Sequence, residues 1–211
     1  MPRSAEPARR QILDAALKLF AANGIGAVSL REIRIAAKQR NAGALQYHFG
    51  TKESLLKALL ERELPPLIAR RRALLAQAAE APPDDLASVA TVFILPFAEC
   101  AVGKPRERAL LLLLARLHDE VSLSLDQIMD MVGDTAIADA SRMLRSRIQG
   151  IPAEIIAERL VVANSIFLHA IAIRARGGKR ERRLDDAAFS RNLVEMFLGA
   201  VTAPIMEALV R

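Results

Sequence analysis

The chain contains no tryptophan, one tyrosine and one cysteine. With so few aromatic rings a core has to be built from Leu, Ala, Ile and Val, and hydrophobic residues at 52% of 211 positions suffice for a substantial one. The lone cysteine, Cys100, excludes an intrachain disulfide and a multi-cysteine zinc site, and it fits a reducing cytoplasm. No stretch alternates with the period of a strand, and no internal repeat is present. No apolar run reaches the ~18–20 residues of a bilayer span; the longest, near 160–173, is interrupted by Asn164, Ser165 and His169. The N-terminus lacks the apolar segment of a secretory signal, so a cytoplasmic location and no membrane partner are expected. Catalytic signatures are missing too. There is no glycine-rich phosphate loop, no serine elbow and no metal-ligand cluster of recognised spacing, and His118-Asp119-Glu120 cannot set two ligands on one helix face. No catalytic residue, metal or cofactor is assigned, and an enzyme is not expected.

Charge is present in quantity but unevenly. Residues 1–72 carry 14 Lys and Arg against 6 Asp and Glu; residues 73–211 carry 16 against 18. The basic excess lies in the first third, which suggests that this part meets a polyanion. The richness in Ala, Leu, Arg and Glu favours helix throughout, and the fold class expected is all-α.

The first third reads as three short helices. Ala8–Asn23 is amphipathic, with Ile12, Leu13, Ala16, Leu19 and Phe20 on one stripe, and Gly24 stops it in a left-handed conformation. Ser29-Leu-Arg-Glu32 is a capping box opening a second helix. After the turn Lys38–Asn41 comes a third helix, N-capped by Asn41, with Ala42, Gly43 and Ala44 leaving a bare face for close approach. Leu45 and Phe49 point inward, while Gln46, Tyr47 and His48 carry polar groups outward. Gly50 breaks the chain, and Thr51 caps a long helix with Lys52 in its first turn. A bare helix start backed by hydrogen-bonding side chains suits the major groove of DNA.

Residues 10–24, the segment Ser29–Ile33 and the run Leu45-Gln-Tyr-His-Phe-Gly-Thr-Lys-Glu53 together resemble the DNA-binding domain of the tetracycline-repressor (TetR) family over about residues 9–60. The turn before the third helix is one residue longer than the family's usual form, Lys38 stands near a frequent glycine, and Gln46 replaces a frequent aromatic residue. The resemblance implies a helix-turn-helix domain, residues 1–50, and a helical effector-binding and dimerisation domain, residues 51–211. It implies that Tyr47, His48, Thr51 and Lys52 hold phosphates. Gln46 is the candidate base reader through its amide, and Arg31 and Arg40 are further candidates for guanine or phosphate; with Asn41, Ala42 and Gly43 these complete the expected DNA surface. The function expected is a ligand-responsive regulator, a repressor that releases a palindromic operator on binding a small apolar effector. A helical small-molecule-binding module with weak or lost DNA binding is the alternative, favoured by Lys38 and the longer turn.

In the remainder, Thr51 to about Ala81 reads as one helix with Pro65-Pro66 kinking or breaking it. Arg70, Arg71 and Arg72 read as a solvated face. Further helices are expected over 84–100, 106–120, 124–149 and 153–176, and a last one after Asp185-Asp186, which cap it. The helix 153–176 is apolar nearly all round and needs partners on two sides; with the last helix it would build an intermolecular four-helix bundle, making a homodimer. Polar and aromatic groups within the apolar helices are the candidate effector contacts: Phe93, Phe97, Cys100, His118, Met129, Asn164, Phe167 and His169.

Overall fold

The computed structural model describes residues 5–41, 43–121, 135–177 and 183–205, and every regular element among them is a helix. Met129 and the first half of the expected helix 124–149 lie outside the described residues.

Four helices form the head. α1 (Ala5–Asn23) buries Ile12, Leu13, Ala16, Leu17 and Phe20 against α2 (Leu30–Ala36), α3 (Ala44–Phe49) and α4 (Lys52–Glu63). It starts at Ala5 rather than Ala8, because Pro7 falls in the first turn, where its missing N–H costs nothing. Gly24 ends α1 with φ 92° while its N–H donates to Phe20 O at 3.0 Å. Ser29 and Glu32 form the expected reciprocal box: Glu32 N–H donates to Ser29 Oγ (3.2 Å) and Ser29 N–H to Glu32 Oε2 (2.7 Å). The Ser29 hydroxyl also donates to Glu32 Oε2 (2.7 Å), and this bond, with the one from the Ser29 N–H, holds the Glu32 carboxyl below the usual carboxylate range.

The expected long helix is two. α4 ends at Glu63 and α5 (Pro65–Glu80) begins after the single residue Leu64, which keeps helical angles (φ −76°, ψ −26°) and serves as cap of both. Pro65 and Pro66 offer no N–H to the turn before them, so the ladder is interrupted. Leu64 itself is fully buried, which plugs the joint into the core.

α6 (Leu86–Val102) is the hub of the larger domain and touches α5, α7 (Pro105–Val121), α8 (Ala136–Arg147), α9 (Ala153–Arg176) and α10 (Asp186–Thr202). Its cap is Asp85, so the helix begins two residues past the expected start at 84: Asp85 Oδ1 accepts from Ser88 N–H at 3.0 Å. α7 also runs along α1, so the head rests on the larger domain through more than α4. Arginines close helix ends across the structure. Arg147 donates to Ala78 O (2.7 Å) at the end of α5, and Arg159 to Val201 O (3.0 Å) and Ala203 O (2.6 Å) at the end of α10, satisfying carbonyls that have no partner within their own helix.

Two sequence expectations change here. Arg70–Arg72 is not a uniform solvated face: Arg70 pairs with Glu99 at 2.8 Å, Arg72 is exposed, and Arg71 is fully buried with its guanidinium 5.2 Å from the Phe97 ring centroid. One turn of α5 cannot keep three successive residues on one side. And α9, at 24 residues, is long and apolar enough by composition to cross a membrane, although interrupted by Asn164, Ser165 and His169. In this fold it packs on α6, α7, α8 and α10.

Candidate nucleic-acid interface

Leu45 and Phe49, four residues apart on α3, are buried, and the Arg9 guanidinium covers the Phe49 ring at 5.5 Å. With one side of α3 anchored, the opposite side faces outward. Gln46 is exposed and Tyr47 is 78% exposed, while His48 is half-buried between the Tyr47 ring (5.3 Å) and Phe49 (6.0 Å). An exposed phenol usually needs a reason; Ile35 of α2 is also 58% exposed, a residue the sequence reading did not single out. Arg31 and Arg40 are exposed and make no side-chain hydrogen bond or ion pair among the described residues.

The turn before α3 accounts for one departure noted from sequence, the lysine near a frequent glycine. Lys38 adopts φ 56°, the left-handed region where glycine is at home. Side chains hold the turn: Arg34 Nη1 donates to Gln39 O (2.9 Å), and Gln39 Nε2 donates to Gln11 Oε1 (2.8 Å) on α1. Asn41 does not cap α3. The N-cap is Gly43, without a side-chain bond, and Asn41 Oδ1 instead accepts Gly43 N–H at 2.9 Å, closing a local turn. The first N–H groups of α3 therefore have no side-chain cap, an arrangement suited to an anion or a base edge. Ala42 lies outside the described residues.

At the other end, Gly50 (φ 72°) makes the sharp break. Thr51 caps α4 as expected, its Oγ1 accepting Ser54 N–H at 3.1 Å. Lys52 is more occupied than the sequence suggested: its ammonium donates to Ile25 O (2.9 Å) and, more loosely, to Gly26 O (3.4 Å), tying α4 to the α1–α2 connection. One of its three donors remains for another acceptor.

The candidate effector residues do not converge on one place. Phe93 stacks on Phe197 (5.1 Å), and Phe167 meets Phe197 edge-on (5.6 Å), all buried. Phe97 lies under Arg71, and nearby Cys100 is half-buried; desolvation pushes its thiol up to about 12, with Glu107 and Glu99 adding and Arg71 opposing. His118 and His169 lie 5.8 Å apart between α7 and α9, with His169 Nε2 2.8 Å from Asp119 Oδ1. Asn164 lines a separate groove of about 220 Å³ between α8 and α9, with Arg142 and Arg145.

A head whose third helix is anchored on one side and faces outward on the other, with a net basic composition, has the form of a helix-turn-helix DNA-binding domain. Residues 12–59 match the family described as bacterial regulatory proteins, tetR family. The whole chain shares its fold with a tetR-family bacterial regulatory protein from Rhodococcus RHA1 (TM-score 0.52, 22% identity, covering 94% of this chain and 98% of that one). A transcriptional regulator from Streptomyces coelicolor A3(2) gives the same TM-score of 0.52 at 19% identity, covering 93% and 99%. No curated protein sequence matches. Residues 12–59 therefore carry the DNA-binding domain of the tetR family, and over its whole length the chain has the fold of these two proteins.

Proposed function

We propose that this chain is a homodimeric repressor that binds a palindromic operator through residues 1–50 and leaves it when residues 51–211 take up a small apolar effector. In this reading Gln46 reads a base edge, Ala42 and Gly43 permit the approach, and Tyr47, His48 and Lys52 hold phosphates, while Thr51 fixes the start of α4. Arg31 and Arg40 are free to reach guanine or phosphate, and Asn41 shapes the turn. Uncapped N–H groups at α3 beside exposed Gln46 and Tyr47 are the observation that carries it.

Dimerisation is supported by α9. Val162, Ile166 and Ile173 are exposed, the last two at 57% and 65%, and with His169 they fall four, three and four residues apart on one stripe. The opposite side of α9, with Leu160, Ala163, Phe167 and Ile171, is buried. Exposed Met196 and the small Gly199 of α10 extend the surface. A two-fold copy laid on these helices would complete a four-helix bundle and space two heads for two half-sites.

For release, the effector wedges between the α4–α5 lever and the helices around Phe93, Phe97 and Phe167, and bends the lever at Leu64-Pro65-Pro66. A ligand does this only by binding the spread state more tightly than the operator-bound one, so operator must weaken effector by the same factor. The test is a thermal-shift screen of small apolar molecules. It is followed, for each hit, by its affinity with and without DNA from the flank of the protein's own gene. Weaker binding in the presence of DNA is expected; equal affinity would leave a regulator that this ligand does not control.

A further inference from the structure

Glu63, the last residue of α4, is buried, with its side chain 5% exposed. A buried carboxylate needs partners, and these come from different elements. Arg106, in the first turn of α7, grips it with two bonds, Nε to Oε2 at 2.6 Å and Nη2 to Oε1 at 2.7 Å. Arg62 Nε donates to Oε1 at 2.7 Å. Arg62 also reaches α1: its Nη2 is 2.9 Å from Asp14 Oδ1, and its Nη1 donates to Arg10 O at 3.3 Å. Arg106 Nη1 stands 3.6 Å from the same Asp14 oxygen. One carboxylate thus ties α1, α4 and α7 together, immediately before the joint at Leu64.

From this placement we infer that Glu63 is a positioning residue for operator binding: through Arg62 and Arg106 it clasps the head to the larger domain and fixes its angle. The inference rests on the DNA-binding, dimeric reading above. An ion pair on a buried carboxylate seldom stabilises more than a packed apolar replacement would. What a bidentate arginine fork adds is direction. Direction matters at this spot because the two prolines leave the joint short of backbone bonds. α4 has 12 residues and so spans ~18 Å, and a tilt of about 10° at the joint carries its far end, next to α3, through ~3 Å. That is the length of a hydrogen bond, and two heads must meet two half-sites at once.

The test uses a palindromic duplex selected from a random pool by the parent protein, a duplex with one half-site only, and a series with altered half-site spacing. Glu63→Gln, which keeps size and loses charge, is expected to bind the full site about tenfold more weakly and the single half-site as well as the parent does, with a flatter dependence on spacing. Because Glu63→Gln leaves the partly buried Arg62 and the exposed Arg106 less well paired, the double variant Glu63→Leu with Arg106→Met serves as a second probe. It is expected to keep the parent's melting temperature and still lose full-site affinity. Equal loss on full and half-sites, or parent-like spacing dependence in both variants, would overturn the clasp. A parent protein that selects no duplex would overturn the DNA-binding reading, and the clasp with it; a parent that selects one and loses nothing on Glu63 substitution overturns the clasp alone.

Discussion

Replacing Lys52 with alanine removes two contacts that different measurements can separate. The first is internal. The ammonium donates to Ile25 O at 2.9 Å, with a longer contact to Gly26 O at 3.4 Å. A hydrogen bond from a charged donor contributes about 1.5–3 kcal/mol, and the half-exposed position of Lys52 places it toward the low end. A loss near ~1.5 kcal/mol corresponds to a melting temperature lower by about 3–6 °C for a chain of this size. The second contact is proposed: the remaining donor holds a phosphate. A dimer would then lose two phosphates, and the slope of log K against log salt would flatten by about 1.8. Loss should be equal on operator and on unrelated DNA, since phosphates carry no sequence information. The assay is a salt series of binding isotherms on both duplexes, with melting curves of the same samples. An unchanged slope with a lowered melting temperature would make Lys52 a tie between α4 and the α1–α2 connection and nothing more. A changed sequence preference would refute the phosphate assignment outright.

Four further outcomes follow from the geometry. Gln46→Ala should cost about 1–3 kcal/mol at one symmetric pair of base positions; selection of operators from a randomised pool checks it, and an unaltered consensus removes Gln46 from the reading set. Lys38→Gly should raise stability by about 0.5–1 kcal/mol, because relief of left-handed strain (roughly 1–2 kcal/mol) exceeds the extra freedom glycine gives the unfolded chain; Lys38→Ala, still strained, should not, and denaturant melts of both distinguish them. Ile166→Glu should give a monomer by sedimentation, since it sets a charge in the middle of the exposed α9 stripe. Cys100, its thiol pushed up to about 12 by burial, should resist alkylation at pH 8 in the native protein and react on unfolding. Its raised value means that the folded state holds the proton more firmly than the unfolded one. The corresponding stability is present below about pH 9 and is lost as pH rises toward 12, which pH-dependent melts of the parent and Cys100→Ala can resolve.

What could be read in the sequence was local. The Ser29–Glu32 box, the stops at Gly24 and Gly50, the Thr51 cap and the interruption at Pro65-Pro66 all depend on residues within a turn of each other, and each appears where expected. So does the two-sided apolar character of α9, because periodicity alone exposes it. What could not be read depends on distant partners. Lys52 meets carbonyls 27 residues away and Glu63 meets an arginine 43 residues away, and neither spacing leaves a mark on the sequence. The burial of Arg71 follows from the packing of α5 on α6 at Phe97. Asn41 does not cap α3 because its side chain closes a turn on Gly43 N–H and the cap falls at Gly43, a shift of two positions that composition does not reveal. The effector candidates were chosen as polar or aromatic groups on apolar helices, and that criterion also selects ordinary core, as the Phe93–Phe197–Phe167 cluster illustrates.

The central claim is that α3 of each subunit reads one half of a two-fold site. A DNase footprint of the dimer on DNA flanking its own gene tests it most directly. The account predicts sharp protection of an inverted repeat whose half-sites are centred about one helical turn apart or a multiple of it, lost by the monomeric Ile166→Glu variant at the same concentration. Protection without sequence preference, or a single asymmetric site held equally well by that monomer, would contradict it.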